Sequence, residues 1–451
     1  MGNRYITYSI SFELSNMQKI HFLFLFLLIS VSAFSQNLTL SPYSRYGIGD
    51  VFSYSNVRSA GMGSVGIATS TVFSPNRYNP ASYSDYYLTT NRTKNTLRRT
   101  TLDVSGFANV NFLSTEKGKG TQSTAGFRDL TFVFPSNKKL AIAFGFAPYS
   151  AVGYTVRDTF RTQIDTNKIL SVIDYAGRGG LNQAFVGGAT SFWGNRIRAG
   201  ANLYYAFGNV QNEWSSYLFY GGAVQTITTR NSHLSGIGAL VGVQYQDTLK
   251  KDSTNGSILL RLGLVTDYNV SMNASRTTIY GGNVTDTLGN EIKSSINVPT
   301  KYGIGFELSK PLKWYVAGDI LYQNWKNFQY FNDKIVYGSD LQAGLGGEFT
   351  PNMLGDKYLQ RISYRGGGYF HKTYLDNFGG KSVTDQGVSL GVGIPMSRSK
   401  QAYSEYLGRF NLSVELGQRG SLGSQPLSEL YSRVRFGITI SERWFVRRVV
   451  D

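Results

Sequence analysis

The chain has no cysteine among its 451 residues, which excludes a disulfide framework, a thiol nucleophile and a thiolate metal site. Charge is scarce as well. Only 16% of residues are charged, against about 25% in soluble domains. There are three histidines, His21, His233 and His371, and His21 falls in an apolar leader. His371 sits in YFHKTYLD with Asp376 nearby, but a nucleophile needs a base within hydrogen-bond reach. No Gly-x-Ser-x-Gly elbow, His-Glu-x-x-His pair or phosphate loop is present. The expectation is a protein that is not an enzyme and carries no cofactor and no metal. A net charge of +17 raises nucleic acid as a partner, yet the cations are scattered instead of gathered in runs, which argues against it.

Long apolar runs are also missing, except near the start. Met17 to Gln36 has Lys19 before a stretch from Phe22 to Val31, then Ala33-Phe34-Ser35. This has the layout of a secretory signal peptide, which places residues 1–35 outside the mature protein. The run is shorter than the ~20 residues that a membrane-spanning helix needs.

What the chain has in quantity is glycine (51), tyrosine (31) and phenylalanine (28). From Arg98 onward, segments of about nine or more residues alternate apolar and non-apolar positions, the length of a tilted transmembrane strand. Leu140, Ile142, Phe144 and Phe146 alternate with Ala141, Ala143 and Gly145; Phe410, Leu412, Val414 and Leu416 alternate with Asn411, Ser413 and Glu415. The non-apolar face carries glycine and isolated charges, not the dense charge of a soluble sandwich. Fourteen such segments can be counted, starting near residues 98, 123, 138, 179, 194, 224, 256, 292, 312, 338, 357, 383, 408 and 429. The fold class expected is all-β: a 14-stranded antiparallel transmembrane β-barrel over 98–451, an even count as in bacterial single-chain barrels. Strands one and fourteen should pair, because only closure removes the edges. The links Arg157–Arg178 and Tyr280–Lys293 read as long extracellular loops, and Ser136–Lys138 as a periplasmic turn. Trp193, Trp214, Trp314, Trp325 and Trp444 read as interfacial girdle residues.

Ser41 to Ala81 has neither strand alternation nor helical period, and it carries Gly47, Gly49, Gly61, Gly63 and Gly66. This stretch is therefore expected to plug the lumen. An arginine facing lipid at the midplane costs ~2–4 kcal/mol, so the charges in the strands should point inward. Arg196, Arg198, Arg261, Lys301, Glu307, Asp319, Glu348, Arg365 and Glu415 are among them. Most should pair with one another or with plug groups such as Arg45, Asp50 and Arg58. Arg261 and Arg365 are the candidates for holding an anionic headgroup.

The plug-like segment, the fourteen strands and Asn79-Pro80-Ala81 within YNPASY together resemble the FadL-type family of outer-membrane transporters. SPYSRYGIGD, TDQGVSLGVGIPM at Thr384–Met396 and FGITISERWFVRR at Phe436–Arg448 look like the Bacteroidota branch, which also includes PorV-like barrels. The resemblance implies passive uptake of a long-chain fatty acid or aromatic hydrocarbon past a hatch, which would be residues 36–97. It also implies lateral exit at a kink in strand three, which would fall at Gly145 to Pro148. Proline cannot donate to the ladder and glycine marks bends, so Pro148 either kinks the strand or ends it at the rim. The alternative is a FadL-type barrel that docks a surface lipoprotein or a secretion or assembly machine. Outer-membrane lipid and lipopolysaccharide would be partners in either case.

Overall fold

The computed structural model describes residues 38–71, 73–85, 87–89, 96–136, 140–161, 169–219, 224–251, 257–269, 271–282, 287–289, 291–331, 333, 335–353, 355–376, 381–396, 408–423 and 425–442. The leader and Trp444 lie outside them. Fourteen antiparallel strands close into a barrel. They are β1 (Thr100–Thr115), β2 (Gly118–Pro135), β3 (Leu140–Arg161), β4 (Ile169–Phe192), β5 (Ile197–Leu218) and β6 (Val224–Lys250). Next come β7 (Ile258–Asn269 and Met272–Gly282), β8 (Ile292–Ile296 and Lys301–Lys310), β9 (Trp314–Asn324) and β10 (Ser339–Phe349). The last four are β11 (Ser363–Lys372), β12 (Thr384–Pro395), β13 (Arg409–Arg419) and β14 (Ser428–Glu442). β14 pairs with β1 from Ser428↔Ser114 to Glu442↔Thr100, which closes the ring. Large apolar side chains such as Leu264, Ile304, Leu345, Leu390 and Leu416 are exposed. Residues of the opposite parity on the same or neighbouring strands, Glu307, Asp319, Glu348, Ser389 and Glu415, are buried. Alternation thus divides an oily exterior from a polar interior, as a membrane barrel requires.

β7 and β8 each break at the same height. β7 interrupts after Asn269, and β8 interrupts between Ile296 and Lys301, around Pro299. A proline has no N–H for the ladder, so the sheet steps over it.

β3 to β6 have 22, 24, 22 and 27 residues, at least twice the ~9–11 that cross the hydrocarbon. This corrects two expected loops. Arg157–Arg178 is mostly ladder, because β3 continues to Arg161 and β4 begins at Ile169. In Tyr280–Lys293, β7 runs to Gly282, and Thr287–Leu288 pairs back onto it. Above the membrane the apolar alternation fades while hydrogen bonding goes on, as in the exposed Arg157–Asp174 fork at 2.6 and 2.7 Å. Periodicity reports the solvent, and there it underestimates strand length.

The described residues before β1 fill the lumen. Pro42–Arg45 is a 3-10 turn, α1 (Val57–Ala60) is a single helical turn capped by Asn56, and Pro80–Asp85 is a second 3-10 turn. Nearly all of Ser55 to Ser84 is buried. A short hairpin, Tyr87–Thr89 with Thr96–Arg98, then leads into β1.

Candidate functional site: the plugged lumen

The plug enters β1 at the rim that carries the β4–β5 and β8–β9 turns, here the turn rim. Its other end lies at the opposite loop rim, where Ser41 donates to Glu429 at 2.6 Å and Tyr43 donates to the Leu427 carbonyl at 2.6 Å. In bacterial barrels the short turns and chain termini face the periplasm.

Between the rims, wall charges hold the plug at successive heights. Glu348 sits between two guanidiniums, Arg58 of α1 at 2.8 Å and Arg365 of β11 at 2.7 Å. Arg365 also donates to Asn411 at 2.9 Å. Arg261 pairs with Glu307 at 2.7 Å, reaches Asp85 at 3.4 Å and donates to Gln246 and to the Ser70 carbonyl. Asp319 accepts the backbone N–H groups of Gly66 and Ile67 at 2.5 and 2.9 Å. Asp267 accepts the hydroxyls of Tyr54 and Tyr204, both at 2.7 Å. Asp50 takes Arg419 at 2.8 Å. Arg45, in contrast, lies over the ring of Tyr175 at 4.2 Å.

Arg261 and Arg365 therefore stand in two separate ion-pair clusters, each engaged by carboxylates. Arg196 is not lumenal. It lies in the β4–β5 turn, half exposed, 3.9 Å from Asp247, because the alternation ends at Asn195 and the turn releases it into water. His371 takes Asp340 at 2.7 Å, while Asp376 accepts Ser382 instead.

Asn79-Pro80-Ala81 has a structural logic. The Asn79 amide donates to the Ile67 carbonyl at 2.7 Å, and its Oδ1 caps the Ala81 N–H at 3.1 Å. The motif lies so close to the wall that a side chain at Gly242 would collide with Asn79. At Gly63 the chain turns through φ +67° against Gly367, where a Cβ would strike the plug backbone. Only glycine accepts that conformation freely.

Asp85, a lone acid in a polar stretch that no sequence motif singles out, closes the lower end. It binds Arg198 at 2.8 Å and faces Arg261. Burial pushes its carboxyl up, but Arg198, then Arg261 and the Ser70 hydroxyl outweigh that and hold it below its ordinary value. A carboxylate with a depressed folded-state pKa stabilises above its unfolded pKa and loses that contribution as pH falls through the folded value. We expect the plug to loosen in acid below the ordinary carboxylate range. Asp85→Asn should remove that part of the pH dependence of plug proteolysis, and an unchanged profile would refute the assignment.

At the loop rim the described residues of the β9–β10 connection pack inward. Between β9 and β10, Trp325, Phe328, Tyr330, Phe331 and Tyr337 are all at most 7% exposed. Trp325 stacks on Tyr374 at 4.4 Å and meets Phe328 edge-on at 4.8 Å. Arg276 of β7 forks onto Asp333 at 3.1 and 3.2 Å and lies 3.9 Å over the Phe331 ring. Trp325 is thus a lid residue and not part of a girdle, because it follows the last outward position of β9. Trp193, 70% exposed at the turn rim, has girdle placement.

Beneath the lid a cavity of about 170 Å³ remains, lined by Arg128, Lys301, His371, Asp385, Glu415 and Arg435 among others. A concavity of about 1020 Å³ with apolar walls, including Leu264, Phe306, Ile320, Leu345 and Phe370, lies on the outer, lipid-facing side.

Between β2 and β3 the wall is unpaired over much of its height among the described residues. β2 pairs with β3 only from Leu130↔Phe146 to Pro135↔Ala141. Past Phe146, β3 bulges at Pro148 against β4. There it takes plug residues Asp50 and Val51 on its open edge, opposite Ala151 and Ser150. Near the loop rim the exposed Lys117–Asp158 pair, at 3.8 Å, crosses between the two strands. Gly145 still lies in the paired part, and Pro148 lies just beyond it.

The same architecture occurs in solved structures. A FadL homologue of Pseudomonas aeruginosa is 10% identical, with a TM-score of 0.54 over 88% of this chain and 100% of its own. The Pseudomonas putida toluene transporter TodX is 14% identical, with a TM-score of 0.51 over 88% and 100%. The Ralstonia pickettii toluene transporter TbuX is 12% identical, with a TM-score of 0.50 over 87% and 98%. At such identities the likeness shows the fold, which defines a FadL-type outer-membrane β-barrel. No curated protein sequence matches the chain. The chain belongs to the BamG family, whose model matches residues 17–451.

Proposed function

We propose that this protein is a plugged barrel that acts as a docking scaffold for an outer-membrane assembly machine. One observation carries the reading. The cavity between lid and plug is charged and measures about 170 Å³, whereas sites for small apolar molecules are mostly apolar and span ~300–1,000 Å³. An ordered aromatic lid on long, paired strands suits a rigid surface better than an entry funnel. The name of the BamG family agrees with a role in barrel assembly.

A second reading has its own support. The unpaired stretch between β2 and β3 would suit lateral exit of a hydrophobic or amphipathic small molecule, of the fatty-acid or aromatic-hydrocarbon class. Three toluene or FadL-type transporters share the fold. In that case the plug is a gate and Pro148 marks the exit.

Depletion in the native cell separates the two. The scaffold reading expects slower folding of other outer-membrane barrels, a stoichiometric assembly subunit that co-purifies in mild detergent, and unchanged uptake of labelled hydrophobic compounds. Normal barrel assembly together with lost uptake would replace it with the channel.

A further inference from the structure

β1 and β2 slip by one residue: Ser105 pairs with Asp129, but Gly106 pairs with Phe127. Arg128 is the extra residue. A bulge re-aims a side chain, and here Arg128 and Asp129 both turn inward, 4% and 3% exposed. Asp129 goes to Arg77 at 3.3 Å. Arg128 instead donates to the Ser53 carbonyl and lies 4.9 Å from the Phe52 ring. Its Nε has no hydrogen-bond partner, and no carboxylate is within ion-pair distance of it among the described residues.

Arg128 lines the lumenal cavity together with Lys301, Arg433 and Arg435. Lys301 has no carboxylate partner among the described residues, and its ammonium lies 5.7 Å from the Tyr54 ring. Arg433 and Arg435 share one acid, Glu415, at 3.5 and 2.8 Å. Of the other acids of the lining, Asp50 takes Arg419 and Asp340 takes His371, while Asp385 accepts the neutral Tyr431 hydroxyl at 2.6 Å. The lining cations Arg128, Lys301, Arg419, Arg433 and Arg435 thus outnumber the carboxylates Asp50, Asp340, Asp385 and Glu415 by one, and the surplus positive charge faces this space. A buried charge left without a counter-charge is costly.

We infer that this cavity is an oxyanion site that takes a sulfate- or phosphate-type group, with Arg128 as its principal ligand. The volume, room for about ten waters by the same measure, admits such a group and excludes an acyl chain. Arg128 and Arg435 also hold plug residues on either side of Tyr54, Ser53 by its carbonyl and Ser55 by its hydroxyl at 2.8 Å. An anion between them would tie β2, β14 and the plug together.

The test uses the full chain in detergent micelles. Titration calorimetry compares inorganic phosphate with a short-chain phosphatidic acid, in chloride buffer of constant ionic strength. Saturable binding of phosphate is expected, weakened by about tenfold or more in Arg128→Gln, the loss of one charge-assisted hydrogen bond, and largely restored in Arg128→Lys. Binding of the phosphatidic acid alone would place the bound group where an acyl chain has room, outside this cavity, and overturns the site. Absence of saturable binding by either, or full binding by Arg128→Gln, overturns the site. Should that variant not fold, wild-type crystals grown with selenate decide. An anomalous peak beside Arg128 supports the site, and its absence overturns it.

Discussion

Replacing Glu348 with glutamine is expected to destabilise the barrel–plug assembly by about 3–5 kcal/mol, the cost of leaving a buried charge unpaired. The carboxylate is 5% exposed and serves two guanidiniums that are themselves 4% and 6% exposed. Both would lose their counter-charge while the volume is unchanged. Arg58 is in the plug and Arg365 in the wall, so the damage falls on the joint between them. Unfolding in urea, followed by the mobility shift between folded and heated barrel, reads the loss. The double variant Glu348→Gln with Arg58→Gln should recover part of it, because one unpaired charge disappears. A single variant as stable as wild type would mean that the plug is held elsewhere.

Trp325→Ala should act differently. Truncating a fully buried tryptophan costs about 3–5 kcal/mol, and here the ring bridges Tyr374 and Phe328 at 4.4 and 4.8 Å. The lid belongs to a loop, so the cost is expected as local opening with little global unfolding. Wild-type protein in planar bilayers should be nearly silent. The variant should show frequent conductance events and become cleavable by protease within residues 325–338. A variant as silent and as resistant as wild type would remove the lid from the account of the sealed lumen.

Much of the barrel was legible in order and number. A strand with oil on one side and a polar bore on the other has to alternate, and fourteen alternating segments became fourteen strands. The plug was legible as a break in that rule. The strand extensions beyond the membrane were not, because both their faces meet water and the period-two signal fades. The lid was hidden for a related reason. Trp325, Phe328, Tyr330 and Tyr337 have no period, and a buried aromatic loop reads like a girdle. Arg128 was missed because its bulge breaks the parity that identified the other inward charges of the strands.

Composition and alternation alone determined the class of environment, the strand count and the existence of a plug, since these follow from which solvent each side chain meets. Which charge meets which was decided only by closure. The partners of Glu348, Asp319 and Asp85 come from distant segments of the chain, and no local pattern records a pairing that depends on barrel register. The same closure set the size of the lumenal cavity, on which the proposed scaffold role rests.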